Sequence, residues 1–94
     1  GRICIGKGTI IAANTYIIDS NHGMKKGILI QSQSVVSSSI EIGEGCWIGA
    51  NCVIAKGSNL GNGVVIGAGS FVNSECVDNA IYAGSPAKFI RNRE

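Results

Sequence analysis

One histidine occurs in the 94 residues, His22. It stands in the polar stretch Asp19-Ser20-Asn21-His22-Gly23-Met24-Lys25-Lys26-Gly27. Imidazole is the side chain best suited to accept a proton near neutral pH, which makes His22 a candidate general base toward a hydroxyl group. Asp19 and Asn21 are close enough in sequence to orient its ring, and Asn14 with Asp19 could meet an acceptor. A second constellation closes the chain, where Lys88, Arg91 and Arg93 follow Ser85-Pro86 and offer cations to phosphate. Each has a plain alternative: a surface imidazole for the first, a solvated capping turn for the second. What decides between them is the scaffold that carries them.

That scaffold is a repeat. An aliphatic-then-small pair returns every six residues as Ile42-Gly43, Ile48-Gly49, Ile54-Ala55, Leu60-Gly61, Ile66-Gly67 and Val72-Asn73, and four places after each aliphatic stand Cys46, Cys52, Ser58, Val64, Ser70 and Cys76. A period of six fits neither an amphipathic helix nor a simple alternating strand. It fits a parallel β-helix in which each hexapeptide makes one short strand and one corner, three make a coil, and coils pair about 4.8 Å apart. The aliphatics stack inside. The small residue after each either takes torsions closed to larger side chains or lets neighbouring coils approach closely. Trp47, the only tryptophan, is out of phase with Cys46 and Ile48 and so projects outward. A large exposed ring implies an interface, with either a neighbouring subunit or a ligand.

Residues 1–18 read as a first coil through Ile5-Gly6, Ile11-Ala12 and Ile17, with Thr9 and Thr15 in the small inward slot. Counting on by six from Ile17 leads to positions 23 and 29, yet the next register runs through Ile30, Val36 and Ile42. A strict repeat with one slip has a loop at the slip, and loops on rigid scaffolds are where function concentrates. The expected division of a single domain spanning 1–94 is therefore coil 1–18, loop 19–29, regular coils 30–77 and a C-terminal cap 78–94. Ser85 as N-cap and Pro86 at the first helical position predict a short basic helix from Ala87 to Arg93. The chain begins inside a repeat and without methionine, so it is expected to be the C-terminal part of a longer one.

Composition excludes several classes. Apolar residues at 45% against charged residues at 15% are those of a folded chain. The net charge of +2 is too small to imply nucleic acid, and no apolar run approaches the length of a membrane span or a secretory signal. A cytoplasmic location is the expectation. The four cysteines suggest a disulfide framework only until their phase is checked, because Cys46, Cys52 and Cys76 read as one small inward slot where a thiol packs as a small apolar group. No metal is expected.

Four stretches together resemble a known family: Asp19-x-Asn21-His22-Gly23, Ile42-Gly43-x-x-x-Trp47-Ile48-Gly49, Ile66-Gly67-Ala68-Gly69-Ser70, and Ala83-Gly84-x-Pro86-Ala87-Lys88-x-Ile90-Arg91. They are similar to the hexapeptide-repeat acetyltransferases, above all the sugar O-acetyltransferases of the galactoside and maltose type and those of lipopolysaccharide O-antigen or capsule biosynthesis. The resemblance implies an all-β, single-stranded left-handed parallel β-helix, a homotrimer, and acetyl-CoA lying in the groove between neighbours. It places the general base on His22, with direct transfer to a sugar hydroxyl in a ternary complex. It puts backbone contacts to the thioester and pantetheine arm on Ala50 and Ala68, and leaves Trp47 beside the reacting centre. The family often carries Thr-Lys where this chain has Asn73 and Ser74, so Lys88, Arg91 and Arg93 are the expected replacements near the CoA phosphates. Serine O-acetyltransferase is the enzymatic alternative, and a β-solenoid assembly module the non-enzymatic one. A carbonic anhydrase on the same scaffold needs three histidines for its zinc, and this chain has one.

Overall fold

Aliphatic side chains six residues apart form columns, and the columns define the fold. In the computed structural model, which describes residues 1–94, the chain winds into a three-sided coil of short strands, 49 × 23 × 23 Å in extent. The first turn is β1 (Ile3–Ile5), β2 (Ile10–Ile11) and β3 (Tyr16–Ile17). An excursion follows, with β4 (Ser20–His22) and β5 (Val35–Ser37) paired antiparallel around a 3-10 turn at Ile30–Ser32. The coil resumes with β6 (Ile40–Ile42), β7 (Trp47–Ile48) and β8 (Val53–Ile54), then β9 (Asn59–Leu60), β10 (Val65–Ile66) and β11 (Phe71–Val72), then β12 (Glu75–Cys76) and β13 (Ala80–Gly84). Strand β14 (Ala87–Asn92) ends it.

Parallel pairing stacks these strands into three faces. On the first, Ile5, Ile42, Leu60 and Cys76 form the inner column; on the second, Ile11, Ile48, Ile66 and Tyr82; on the third, Ile17, Ile54 and Val72. Ile42, Ile48, Ile54, Leu60, Ile66 and Val72 are buried, each worth about 1.5–3 kcal/mol in transfer from water. The inward assignment of the repeat is thus met by the structure.

The small slot does more than save space. Thr9 and Thr15 donate their hydroxyls to the carbonyls of Gly43 and Gly49 on the next coil, at 2.8 and 2.7 Å. Cys46 and Cys52 do the same one coil on, their thiols 3.1 and 3.2 Å from the carbonyls of Gly61 and Gly67. Corner carbonyls that turn inward would otherwise be buried without a partner, so a small donor at this slot satisfies them. The glycine after each aliphatic serves close approach rather than unusual torsion: a side chain at Gly49 would meet the backbone nitrogen of Ala68 at 2.6 Å. The left-handed torsions fall two residues later, at Gly45 (φ 65°) and Asn51 (φ 58°) among others.

Four expectations are corrected. The register runs two residues short between β11 and β12, so Cys76 stands under Leu60 in the aliphatic column rather than in the small slot, and Ala80 fills the slot instead. The repeat then continues in phase to Tyr82, past the expected end at Val77. Ile30 and Val36 belong to the excursion and are exposed, not coil positions, so the departure from the coil runs well beyond 19–29. Finally, no C-terminal helix forms. Residues 87–92 turn back through a cis Ser85-Pro86 peptide and add β14 antiparallel to β13. A helix of seven residues has little stability of its own, whereas the open edge of β13 offers a full set of backbone partners.

Cys76 is 2% exposed, and burial, with Cys46 and Glu75 nearby, pushes its thiol up from 9.0 to about 11. Thiolate is the reactive form, so Cys76 should be inert, as should the buried free thiols Cys46 and Cys52. Titration of the native protein with a chromogenic disulfide at pH 8 is expected to label only Cys4 promptly, and all four cysteines after denaturation. Because the folded state disfavours the thiolate, this contribution to stability is complete below pH 9 and is lost as pH rises through about 11. Urea midpoints measured from pH 8 to 11 should fall, and Cys76→Ala should flatten that fall.

Candidate functional site

His22 ends strand β4, exposed and opposite Val35 in the hairpin register. Alternation along the strand sends Ser20 and His22 to one side and Asn21 to the other, so Asn21 does not orient the ring as its sequence position suggests. Asp19 lies at the base of the hairpin, where its carbonyl accepts from the Ser38 N–H at 2.9 Å. Its carboxylate sits 3.4 Å from the Gly1 nitrogen. Asn14 is further back still, holding a left-handed torsion (φ 62°) at the corner after β2. The imidazole shares an open hollow with Ile28, Leu29, Ile30 and Gln31. None of those four neighbours was singled out in the sequence, because Ile30 reads there as a coil position.

The second constellation assembles on the outer surface of the second face. Ile10, Trp47, Val65, Ile81 and Arg91 are successive cross-strand neighbours, forming an outward apolar row that ends in a cation. Trp47, 57% exposed, projects outward as expected. A groove of about 390 Å³ lies over this row, lined by Gly45, Trp47, Val65, Ile81, Arg91, Arg93 and Glu94. A bulge between β13 and β14 brings Arg91 opposite Ile81 while Lys88 stands opposite Ala83, so Lys88 and Arg91 share a side that plain alternation would deny them. Arg93 is anchored, its guanidinium donating to the Gly63 carbonyl at 3.1 Å. Val65 was legible in the sequence, one coil on from Trp47. Ile81 was hidden by the shortened register.

Ala50 and Ala68 occupy equivalent corners between the second and third faces, with Ala68 exposed and Ala50 partly so. Corners between the first and second faces behave differently. There the Glu44 N–H donates to Asn62 Oδ1 and the Asn62 N–H to Asp78 Oδ1, both at 2.9 Å, so these two corner amides are capped by a side chain of the next coil. Alanine has no oxygen with which to cap. Neither the Ala50 nor the Ala68 amide has a hydrogen-bond partner within the chain. Within one chain, the His22 hollow and the Trp47 groove share no lining residue.

Residues 39–74 match the family described as bacterial transferase hexapeptide (six repeats). A protein of Escherichia coli (strain K12) named as a lipopolysaccharide biosynthesis O-acetyl transferase, WbbJ, is 37% identical over 97 residues, covering 95% of this chain and 50% of its own. A galactoside acetyltransferase solved in complex with coenzyme A superposes with a TM-score of 0.91 at 34% identity, over 98% of this chain and 46% of that one. A variant of AntD, an N-acyltransferase from Bacillus cereus solved with dTDP-4-amino-4,6-dideoxyglucose and coenzyme A, gives a TM-score of 0.83 at 28% identity over 98% of this chain and 53% of that one. The chain spans about half the length of each of these three proteins. By its period, its stacked parallel faces and these likenesses, the chain is similar over nearly its whole length to proteins of this kind, and its residues 39–74 carry the bacterial transferase hexapeptide repeat itself.

Proposed function

We propose that this protein transfers an acetyl group from acetyl-CoA to a sugar hydroxyl in a cell-surface polysaccharide or lipopolysaccharide precursor. The observation that carries the reading is that the coil's one long excursion presents the chain's only histidine, its imidazole in no hydrogen bond or ion pair, at an open hollow. In this reading His22 takes the proton of the acceptor hydroxyl as its oxygen attacks the thioester carbon in a ternary complex. The tetrahedral oxyanion draws on corner amides such as those of Ala50 or Ala68, the C–S bond breaks, and the CoA sulfur leaves with the proton returned from the imidazole. Trp47 and the apolar row receive the pantetheine arm, and Lys88, Arg91 and Arg93 meet the phosphates of CoA.

A left-handed coil assembled as a homotrimer completes the proposal. The outer row of the first face is polar through Glu41, Asn59 and Glu75, with Cys4 at its end, while the second face shows Ile10, Trp47, Val65 and Ile81 and the third Tyr16, Val53 and Phe71. Two apolar faces and one polar face suit a closed three-fold ring in which a neighbour brings its His22 to the Trp47 groove. No helix is long and apolar enough to cross a membrane, and we place the enzyme in the cytoplasm, where acetyl-CoA is available.

The likeness to an N-acyltransferase holding an amino sugar favours a second reading, in which the acceptor is a sugar amine. Release of free thiol from acetyl-CoA, measured against maltose, a simple galactoside, a nucleotide-linked amino sugar, serine and water, separates these readings. A sugar-dependent rate is expected, from a species that sediments as a trimer. Thiol release with serine alone would point to the serine enzyme, and a monomeric protein inert to every acceptor would point to an assembly module.

A further inference from the structure

Between Asn21 and Ser39, only Gly23 and Gln33 are not exposed, and these two residues touch. The Gln33 carboxamide makes three hydrogen bonds, all to the backbone of the loop that leaves His22. Its Oε1 accepts from the Lys25 N–H, and its Nε2 donates to the carbonyls of Lys25 and Ile28, each at 3.0 Å. Both donors of the amide are thereby used. Main-chain rungs hold only the ends of this segment: the Gly23 N–H donates to the Ser34 carbonyl, and those of Ser32 and Gln33 close the 3-10 turn on Leu29 and Ile30, all at 3.0 Å. The span between is held by one side chain.

The position of that side chain ties it to the imidazole. Its amide lies directly over Gly23, so that a Cβ at this position would meet Gln33 Oε1 at 2.8 Å and Gln33 Cβ at 3.2 Å. Glycine follows His22 because Gln33 occupies the space. Ile28, whose carbonyl Gln33 holds, is also one wall of the hollow that His22 lines, with Leu29 and Ile30 beside it. Anchoring by backbone leaves those side chains free to face outward.

We propose that Gln33 is a positioning residue for the transfer reaction: its carboxamide fixes the wall formed by residues 28–30 against the His22 imidazole, and so sets where an acceptor hydroxyl can sit relative to the base. The inference rests on the reading of His22 as general base. Gln33 touches no substrate in this scheme, and it lies apart from the groove assigned to CoA, so its loss should appear in turnover and not in donor affinity.

Gln33→Ala and Gly23→Ala reach the same contact from opposite sides and should agree. In the full-length protein, assayed with acetyl-CoA against maltose and a simple galactoside, each is expected to lower kcat by about 10²-fold, since a displacement of order 1 Å at the reacting atoms has that effect. The KM for acetyl-CoA should stay within about two-fold of wild type. Gln33→Glu keeps the acceptor and the size but neither donor, and should behave as Gln33→Ala. Limited trypsinolysis followed by mass spectrometry gives a readout independent of activity: cleavage after Lys25 and Lys26 should quicken at least about tenfold when the loop is released. Faster cleavage with kcat unchanged would reduce Gln33 to a structural staple and overturn the proposal, as would unaltered cleavage. A wild-type protein inactive toward every acceptor overturns the enzymatic reading and the positioning role with it, and the trypsin result then reports on the loop alone.

Discussion

His22→Asn is expected to lower acetyl transfer by about 10²–10⁴-fold while leaving the fold and CoA binding intact. The imidazole is exposed at the end of β4, and its strand is held by main-chain pairing with β5, so a side chain of similar size removes basicity without removing a packing contact. Within one chain the groove lined by Trp47, Arg91 and Arg93 contains no residue of the hairpin, and the donor is held by that row and its cations, so it should bind as before. A sugar hydroxyl is a poor nucleophile until its proton is taken during attack, and no other side chain lining the hollow can take it. Turnover is measured under saturating acetyl-CoA, and binding by isothermal titration with CoA. An Asn variant within a few-fold of wild type would remove His22 from the chemistry and return it to being a surface residue.

Ile48→Asp or Ile66→Asp should abolish folding. Both side chains are essentially inaccessible, at 0% and 1%, and stack in the middle of the second column between Ile11 and Tyr82. A carboxylate there either ionises without a partner or is protonated at the expense of several kcal/mol, on top of the lost aliphatic contacts. A domain of this size has only about 5–15 kcal/mol in total. The control is Asn59→Lys, one residue from buried Leu60 but on the outer row between Glu41 and Glu75, which should leave stability within about 0.5 kcal/mol. Far-ultraviolet circular dichroism and thermal melting distinguish the two outcomes, and an Asp variant that melts like its parent would mean that the column does not face inward.

The columns were legible because a six-residue period leaves one geometric solution, and each of Ile42, Ile48, Ile54, Leu60, Ile66 and Val72 is where that solution puts it. What escaped was every place where chance mimicked the period. Cys76 is small and four places after Val72, so it read as a slot residue, and nothing local signals that two residues are missing from that coil. Ile30 and Val36 happen to lie twelve and six residues before Ile42, which disguised most of the excursion as coil. Ser85-Pro86 opens helices by its local chemistry, but the free edge of β13 is a tertiary fact, and it prevailed. Of the candidate site, Trp47 could be placed outward by phase alone. The grouping of Trp47 with Ile81, Arg91 and Arg93, and that of His22 with Ile28 to Ile30, required knowing which strands adjoin.

The Ser38 N–H to Asp19 carbonyl bond means that the chain leaves the coil and re-enters it at nearly the same point. Contacts between the first two coils therefore join residues 37 apart, as in Thr9 with Cys46, where those between the next two join residues 18 apart, as in Glu44 with Asn62. Closing a loop of twice the length costs only about 0.6 kcal/mol more. The coil is in effect indifferent to how much chain is paid out at that point, and the hairpin that carries His22 closes on itself through its own rungs from Ser20–Ser37 to His22–Val35. Such an insert can lengthen, shorten or be exchanged for another without shifting a single column of the coil, so that a lineage could alter what the excursion meets while keeping the outer groove and its arginines unchanged.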